Sequence, residues 1–134
     1  QFGYLTIKLI ARASETVDEP EWYDMLAEIL MGLDSHMSLE LVQTWFYLRY
    51  AALLGHELNL TIDVNGEKLS AEREYRYDVG EQGLVERPRG EITGEHIKLL
   101  RLISSKSLKI LVQIGGIETI LPDCFQVARE HAAV

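Results

Sequence analysis

The residues of this chain with the clearest chemical potential are two groups of cations. Arg73, Arg76, Arg87 and Arg89 alternate with Tyr75 and Tyr77. Arginine beside tyrosine suits nucleic acid, because the guanidinium binds phosphate and the ring stacks on an unpaired base. Glu72, Glu74, Glu81 and Glu86 are interspersed, so a solvated, salt-bridged surface explains the same pattern and is the stronger reading. The second group is Lys98, Arg101, Lys106 and Lys109, which few acids accompany. These four give a basic rim beside an apolar helical surface.

Catalytic patterns are missing from the sequence. Asp18, Glu19 and Glu21 are close enough for acid–base work, but they surround Pro20 at a helix start, where the helix dipole favours negative charge. His36, His56, His96 and His131 show no His-Glu-x-x-His or His-x-His spacing. They are expected at the surface or beside helix caps, with no metal bound. Cys124 sits in the apolar stretch LPDCFQV and reads as a small buried residue. One thiol makes neither an internal disulfide nor a cysteine cage for a metal, which fits a reducing, cytoplasmic setting. The glycines form no phosphate-binding loop and no serine stands in a Gly-x-Ser-x-Gly elbow. A non-enzymatic protein with no cofactor is the expectation.

The 134 residues, 47% hydrophobic and 25% charged, are enough for one domain with a real core and exclude wholesale disorder. No apolar run approaches the roughly 20 residues needed to span a bilayer. The first residues lack a basic leader and an initiator methionine, so a fragment of a longer protein is expected. The net charge of −8 is uneven. Residues 1–63 hold 3 basic against 10 acidic side chains, whereas residues 64–110 hold 9 against 8. An acidic domain is a poor binder of phosphate backbones, because affinity comes from counterions released by clustered cations. Any nucleic-acid contact is expected from the middle third or from a part outside this sequence.

Helices on both sides of a short β region must position these residues. Apolar spacing predicts helices over Phe2–Thr16 and Pro20–Met31, the second ending at Gly32. Ser38 is a candidate cap for a third, Leu39–Leu54, which is apolar nearly all round and therefore central. Gly55 ends it. From Leu58 the period changes to two, with Asn65-Gly66 as a hairpin turn and YRYDVGEQGLVE as a second alternating run. Thr93 caps the next helix, which turns Ile97, Leu100 and Ile103 inward and Lys98 and Arg101 outward; Ser104-Ser105 is expected to break it. SLKILVQI is a short helix or strand, and Gly115-Gly116 a hinge. A last helix runs from Glu118 or Leu121 to His131, with Pro122 tolerated in its first turn. The fold class is mainly α: a helical bundle-like single domain, helical over 1–57 and 92–134, with a β-rich insertion at about 58–91.

Several of these segments resemble, in order, the C-terminal domain of the bacterial recombination mediator RecO. FYLRYAALLGHELNL (46–60) is similar to the family's central helix and its exit. VDEPEWYDMLAEIL (17–30) resembles the acidic helix start upstream, IDVNGEKL (62–69) the first zinc knuckle, YRYDVGEQGLVE (75–86) the approach to the second, and ITGEHIKLLRLI (92–103) the helix that follows. Where zinc-bearing members have paired cysteines, this chain has Asp63 to Gly66 and Val85 to Arg87, so the resemblance implies a zinc-ribbon-like insertion without its metal. The family's N-terminal OB-fold, which carries much of its single-strand binding, is also absent from the sequence. The resemblance implies a scaffold for DNA repair and homologous recombination that helps load recombinase. Its implied partners are RecR and the acidic, aromatic-ended tail of single-strand-binding protein. Lys98, Arg101, Lys106 and Lys109 are the residues that would receive that tail, with Arg73, Tyr75, Arg76, Arg87 and Arg89 as weak contacts to single-stranded DNA. The alternative is a helical protein-interaction or ligand-sensing domain of an unrelated regulator.

Overall fold

A computed structural model describes residues 39–133. The helices expected over Phe2–Thr16 and Pro20–Met31, and the Ser38 cap, lie outside the described residues. Within them the chain is mainly helical with a small β insertion, as its periodicity predicts.

Helix α1 (Leu39–Leu53) is the centre of the core. Val42, Phe46 and Ala51 are fully buried, Leu41, Trp45 and Leu48 nearly so, and even Thr44 is enclosed. Thr44 meets the cost of burying a hydroxyl by donating to the Glu40 carbonyl, 2.7 Å away, one turn back. The helix ends as its glycine requires. Gly55 takes φ +90°, while its N–H bonds Ala52 O and the His56 N–H bonds Ala51 O. That pair of bonds is the Schellman arrangement, which satisfies the last carbonyls and turns the chain sharply.

Strands β1 (Tyr75–Asp78) and β2 (Gly83–Glu86) form an antiparallel hairpin, with Tyr75 opposite Glu86 and Asp78 opposite Gly83. Tyr75 also exchanges both backbone bonds with Ile92, so a third extended segment lies along β1. The turn at Asn65-Gly66 closes a shorter hairpin, through the bridge between Ile62 and Lys68. It is wider than the two-residue turn that Asn-Gly usually marks. Gly66 N–H bonds Asp63 O, Asp63 N–H bonds Glu67 O, and of the two turn residues Gly66 alone has positive φ. This is the three-residue loop with a glycine bulge.

Helix α2 (Gly94–Ser105) takes in Ser104 and Ser105 and ends directly after them, close to the expected break. The Ser105 hydroxyl donates to the Arg101 carbonyl at 2.9 Å, and Lys106 makes the cap. Serine can end a helix by bonding the backbone, but here it bonds backward along the same helix. Ser107 then leads into the single turn α3 (Leu108–Leu111), which decides for helix in SLKILVQI. Helix α4 (Leu121–Ala132) starts with Pro122 in its first turn and packs most extensively against α1.

Two glycines, one beside β1 and one at the start of α2, are required by close approach. A Cβ on Gly90 would overlap the Tyr75 carbonyl oxygen and lie 2.6 Å from its carbon, and one on Gly94 would lie 2.6 Å from Ala71 O. Backbone cannot swing aside as a side chain can. Gly90→Ala is expected to cost about 1–3 kcal/mol, read as a lower urea midpoint. Gly115→Ala, with open space around the new methyl, should bring no loss.

Candidate functional site

The four cations of the C-terminal half are all exposed, but they do not form one cluster. Lys98 and Arg101, one turn apart on α2, line a shallow groove of about 530 Å³ with Ala71, Thr93, Gly94 and Glu95. Lys106 stands at the end of α2 and Lys109 on α3, and neither lines that groove. Lys109 is instead followed by two exposed apolar side chains, Ile110 and Val112, each about half accessible.

Two of the four have structural duties as well. Arg101 donates from Nε and Nη2 to the Leu60 carbonyl, at 2.9 and 2.8 Å, and so clamps the loop that leaves α1. The Lys106 carbonyl accepts from Trp45 Nε1 at 3.1 Å and from Arg49 Nη2 at 2.8 Å, while the Arg49 guanidinium lies 5.2 Å from the Trp45 ring. Positive charge at a helix C-terminus is favourable, so Arg49 closes the end of α2.

The tyrosine–arginine pattern of the β element resolves into the salt-bridged surface that is its stronger reading, with the tyrosines turned inward. Tyr75 is 1% exposed, and its hydroxyl accepts from the Ser70 N–H at 2.9 Å. Its ring is part of the core and has no face to offer a base. Tyr77 is buried as well. Strand periodicity explains this: Tyr75 and Tyr77 share the inner face, and Arg76 between them faces out. Arg73 pairs with Glu86 at 3.0 Å and with Glu67 at 3.8 Å, and Arg76 with Glu91 at 3.5 Å. Arg87 donates to the Glu86 carbonyl, and the Arg89 N–H to Glu74 Oε1. The salt-bridged surface is what the strand presents.

Histidines hold two joints: His131 is enclosed where a surface or cap position is expected, whereas His96 stands beside the Thr93 cap of α2, as expected. His131, 2% exposed, receives the Tyr77 O–H on Nδ1 at 2.7 Å and faces the His56 carbonyl with Nε2 at 2.6 Å. A carbonyl only accepts, so Nε2 carries the proton and Nδ1 the lone pair. Burial, with His56 nearby, holds this imidazole below its usual pKa despite the bond to His56 O, and it is neutral. Burial first, then Glu130 and Asp78, pushes Tyr77 up to about 12, so its hydroxyl stays a donor.

His96 accepts the Thr93 N–H on Nδ1 at 3.1 Å, and its Nε2 lies 3.2 Å from Asp123 Oδ2. With Thr93 Oγ1 only 2.9 Å from Nδ1, the set has the outline of a hydroxyl–imidazole–carboxylate relay. A general base needs a free lone pair, and this one is already engaged by a backbone N–H. The group is a clamp joining the start of α2 to α4. Cys124 beside it is buried, and burial with Asp123 pushes its thiol up to about 12, far from a reactive thiolate.

The family model described as Recombination protein O C terminal matches residues 4–130. The chain belongs to this family. No curated protein and no solved structure matches it. Membership sets the RecO-type domain in DNA recombination and repair, in a family of mediators and not of known enzymes, and it displaces the unrelated regulator as an alternative. Among the described residues no helix is long and apolar enough to cross a membrane. The same residues gather no group of three His, Cys, Asp or Glu side chains able to hold a metal. Nor do the knuckle positions fit zinc: Asp63 Oδ1 is already taken by two backbone N–H groups, and Val85 is a buried apolar side chain in β2.

Proposed function

We propose that this RecO-type domain is a cytoplasmic interaction scaffold that helps load recombinase onto single-stranded DNA, with RecR and single-strand-binding protein as partners. The acidic tail of the latter is taken by the C-terminal helices. The observation that supports this reading is the juxtaposition of Lys98 and Arg101 in one open groove. Carboxylates of an extended peptide pair with ammonium and guanidinium groups, and its aromatic end needs an apolar surface. Lys106, Lys109 and the exposed Ile110 and Val112 offer a second segment of such a surface. Contact with single-stranded DNA through Arg73, Arg76, Arg87 and Arg89 is a weak secondary role, since acids accompany the first two.

Lys98 is the residue on which to test it. Arg101 also clamps Leu60, so its replacement would mix binding with loop stability. Titration with a synthetic acidic peptide ending in phenylalanine should give saturable binding at low salt. Lys98→Glu should weaken it about fivefold or more, and added salt should narrow that difference. Binding equal in both proteins, or none at low salt, would remove the groove as the site.

A further inference from the structure

The turn that stands where the family's first zinc knuckle is expected has an internal organiser. Asp63 is 7% exposed, and its Oδ1 accepts the Asn65 N–H at 2.8 Å and the Glu67 N–H at 3.0 Å. A carboxylate receiving backbone N–H groups in this way fixes a turn strongly, because the acceptor is charged and largely removed from water. The next residue makes the connection outward. Val64 N–H bonds the Leu84 carbonyl of β2 at 2.9 Å, and a Cβ on Gly83 would lie 3.1 Å from Val64 Cγ1. Glycine at that position lets the two hairpins close on each other. From the other side Asn59 Oδ1 accepts the Thr61 and Ile62 N–H groups, and Arg101 holds Leu60 O.

We propose that Asp63 does the joining work of a metal in this domain: it shapes the first turn so that Val64 latches onto β2, and the latch needs neither zinc nor thiols. Bridging two turns through a thiolate-bound ion ties a fold to metal supply and exposes it to oxidants, because the ligands must be deprotonated cysteines. A carboxylate bonded to backbone amides has neither dependence. The β insertion therefore keeps its shape when zinc is scarce or thiols are oxidised.

Amide hydrogen exchange and thermal melting of the whole chain test this together. Wild-type protein should melt at the same temperature with and without 1,10-phenanthroline, and metal analysis should find no stoichiometric zinc. Asp63→Ala should speed exchange at Asn65 and Glu67 about tenfold or more, and with them at Val64. Asp63→Asn, whose amide oxygen still accepts, should lose only a few fold at the same amides and provides the measurement if the alanine variant does not fold. A chelator-dependent melting temperature, bound zinc, or unchanged exchange in both variants would overturn the proposal.

Discussion

Trp45→Ala should remove about 3–5 kcal/mol of stability, a large part of the 5–15 kcal/mol typical of a domain. The ring is 2% exposed in the middle of α1, so truncation leaves a cavity in the core that the surroundings fill only in part. The loss does not stop at volume. Its Nε1–H is one of two donors on the Lys106 carbonyl, and Arg49, the other, stacks against the ring that holds it in place. The end of α2 should therefore loosen with the core. Urea unfolding of the variant would show the global loss, and faster amide exchange in the last turn of α2 would show the local one. Trp45→Phe keeps most of the packing and removes the donor. Its smaller loss, about 1–2 kcal/mol, separates the hydrogen bond from the burial.

His131→Ala is the second large effect, expected at about 3–5 kcal/mol near neutral pH. It leaves the Tyr77 hydroxyl and the His56 carbonyl unpaired inside the protein, and unpaired buried polar groups are costly beyond the lost contact. The same residue gives wild-type stability an acid dependence. Unfolded, the imidazole takes up a proton near its ordinary value of 6.5; folded, it does so only at lower pH. Between those two values the unfolded chain binds more protons, so stability falls as pH drops below about 6.5 and is complete above it. Tyr77, His56 and, beyond Tyr77, Glu130 and Asp78 are the titratable groups around this joint. His131→Gln keeps a donor for His56 but cannot titrate in this range. Unfolding curves at about pH 8 and pH 5.5 should show a smaller acid loss for this variant than for wild type, and equal losses would count against the assignment.

Much of this was legible in the residues, and the parts that were not have physical reasons. The length of α1 followed from an apolar run closed by Gly55, and the β insertion from the change of period after Leu58. Ser104 and Ser105 marked the end of α2 closely; the Ser105 hydroxyl bonds back to the Arg101 carbonyl, so the helix takes in both serines before Lys106 caps it. Tyr75 was read for its chemistry beside arginine, when alternation along the strand already set it opposite to Arg76. His131 had a readable signal as well: Leu121, Cys124, Val127, Ala128 and His131 follow helical spacing, and all five are buried. A histidine on that stripe belongs inside if a donor and an acceptor meet it there. Those partners come from β1 and from the exit of α1, far away in sequence, so no local pattern predicts them. The Asp63 turn lies between these cases. Aspartate at the head of an Asn-Gly turn is a familiar organiser, but its reach to β2 through Val64 depends on the tertiary fold.

The Schellman exit of α1 also acts as a ruler. Trp45 must reach Lys106 O and the carbonyl of His56 must reach His131, and both depend on one rigid helix whose end is set by Gly55. Adding or removing a single residue between them would rotate one anchor relative to the other by about 100°. One of the two joints would then always be aimed away from its partner. Change of length is consequently closed to this stretch of the chain, while the tip between Asp78 and Gly83, with Val79 in solvent, can absorb it. Divergence within such a domain is channelled by where its anchors stand, more than by how hydrophobic its helices are.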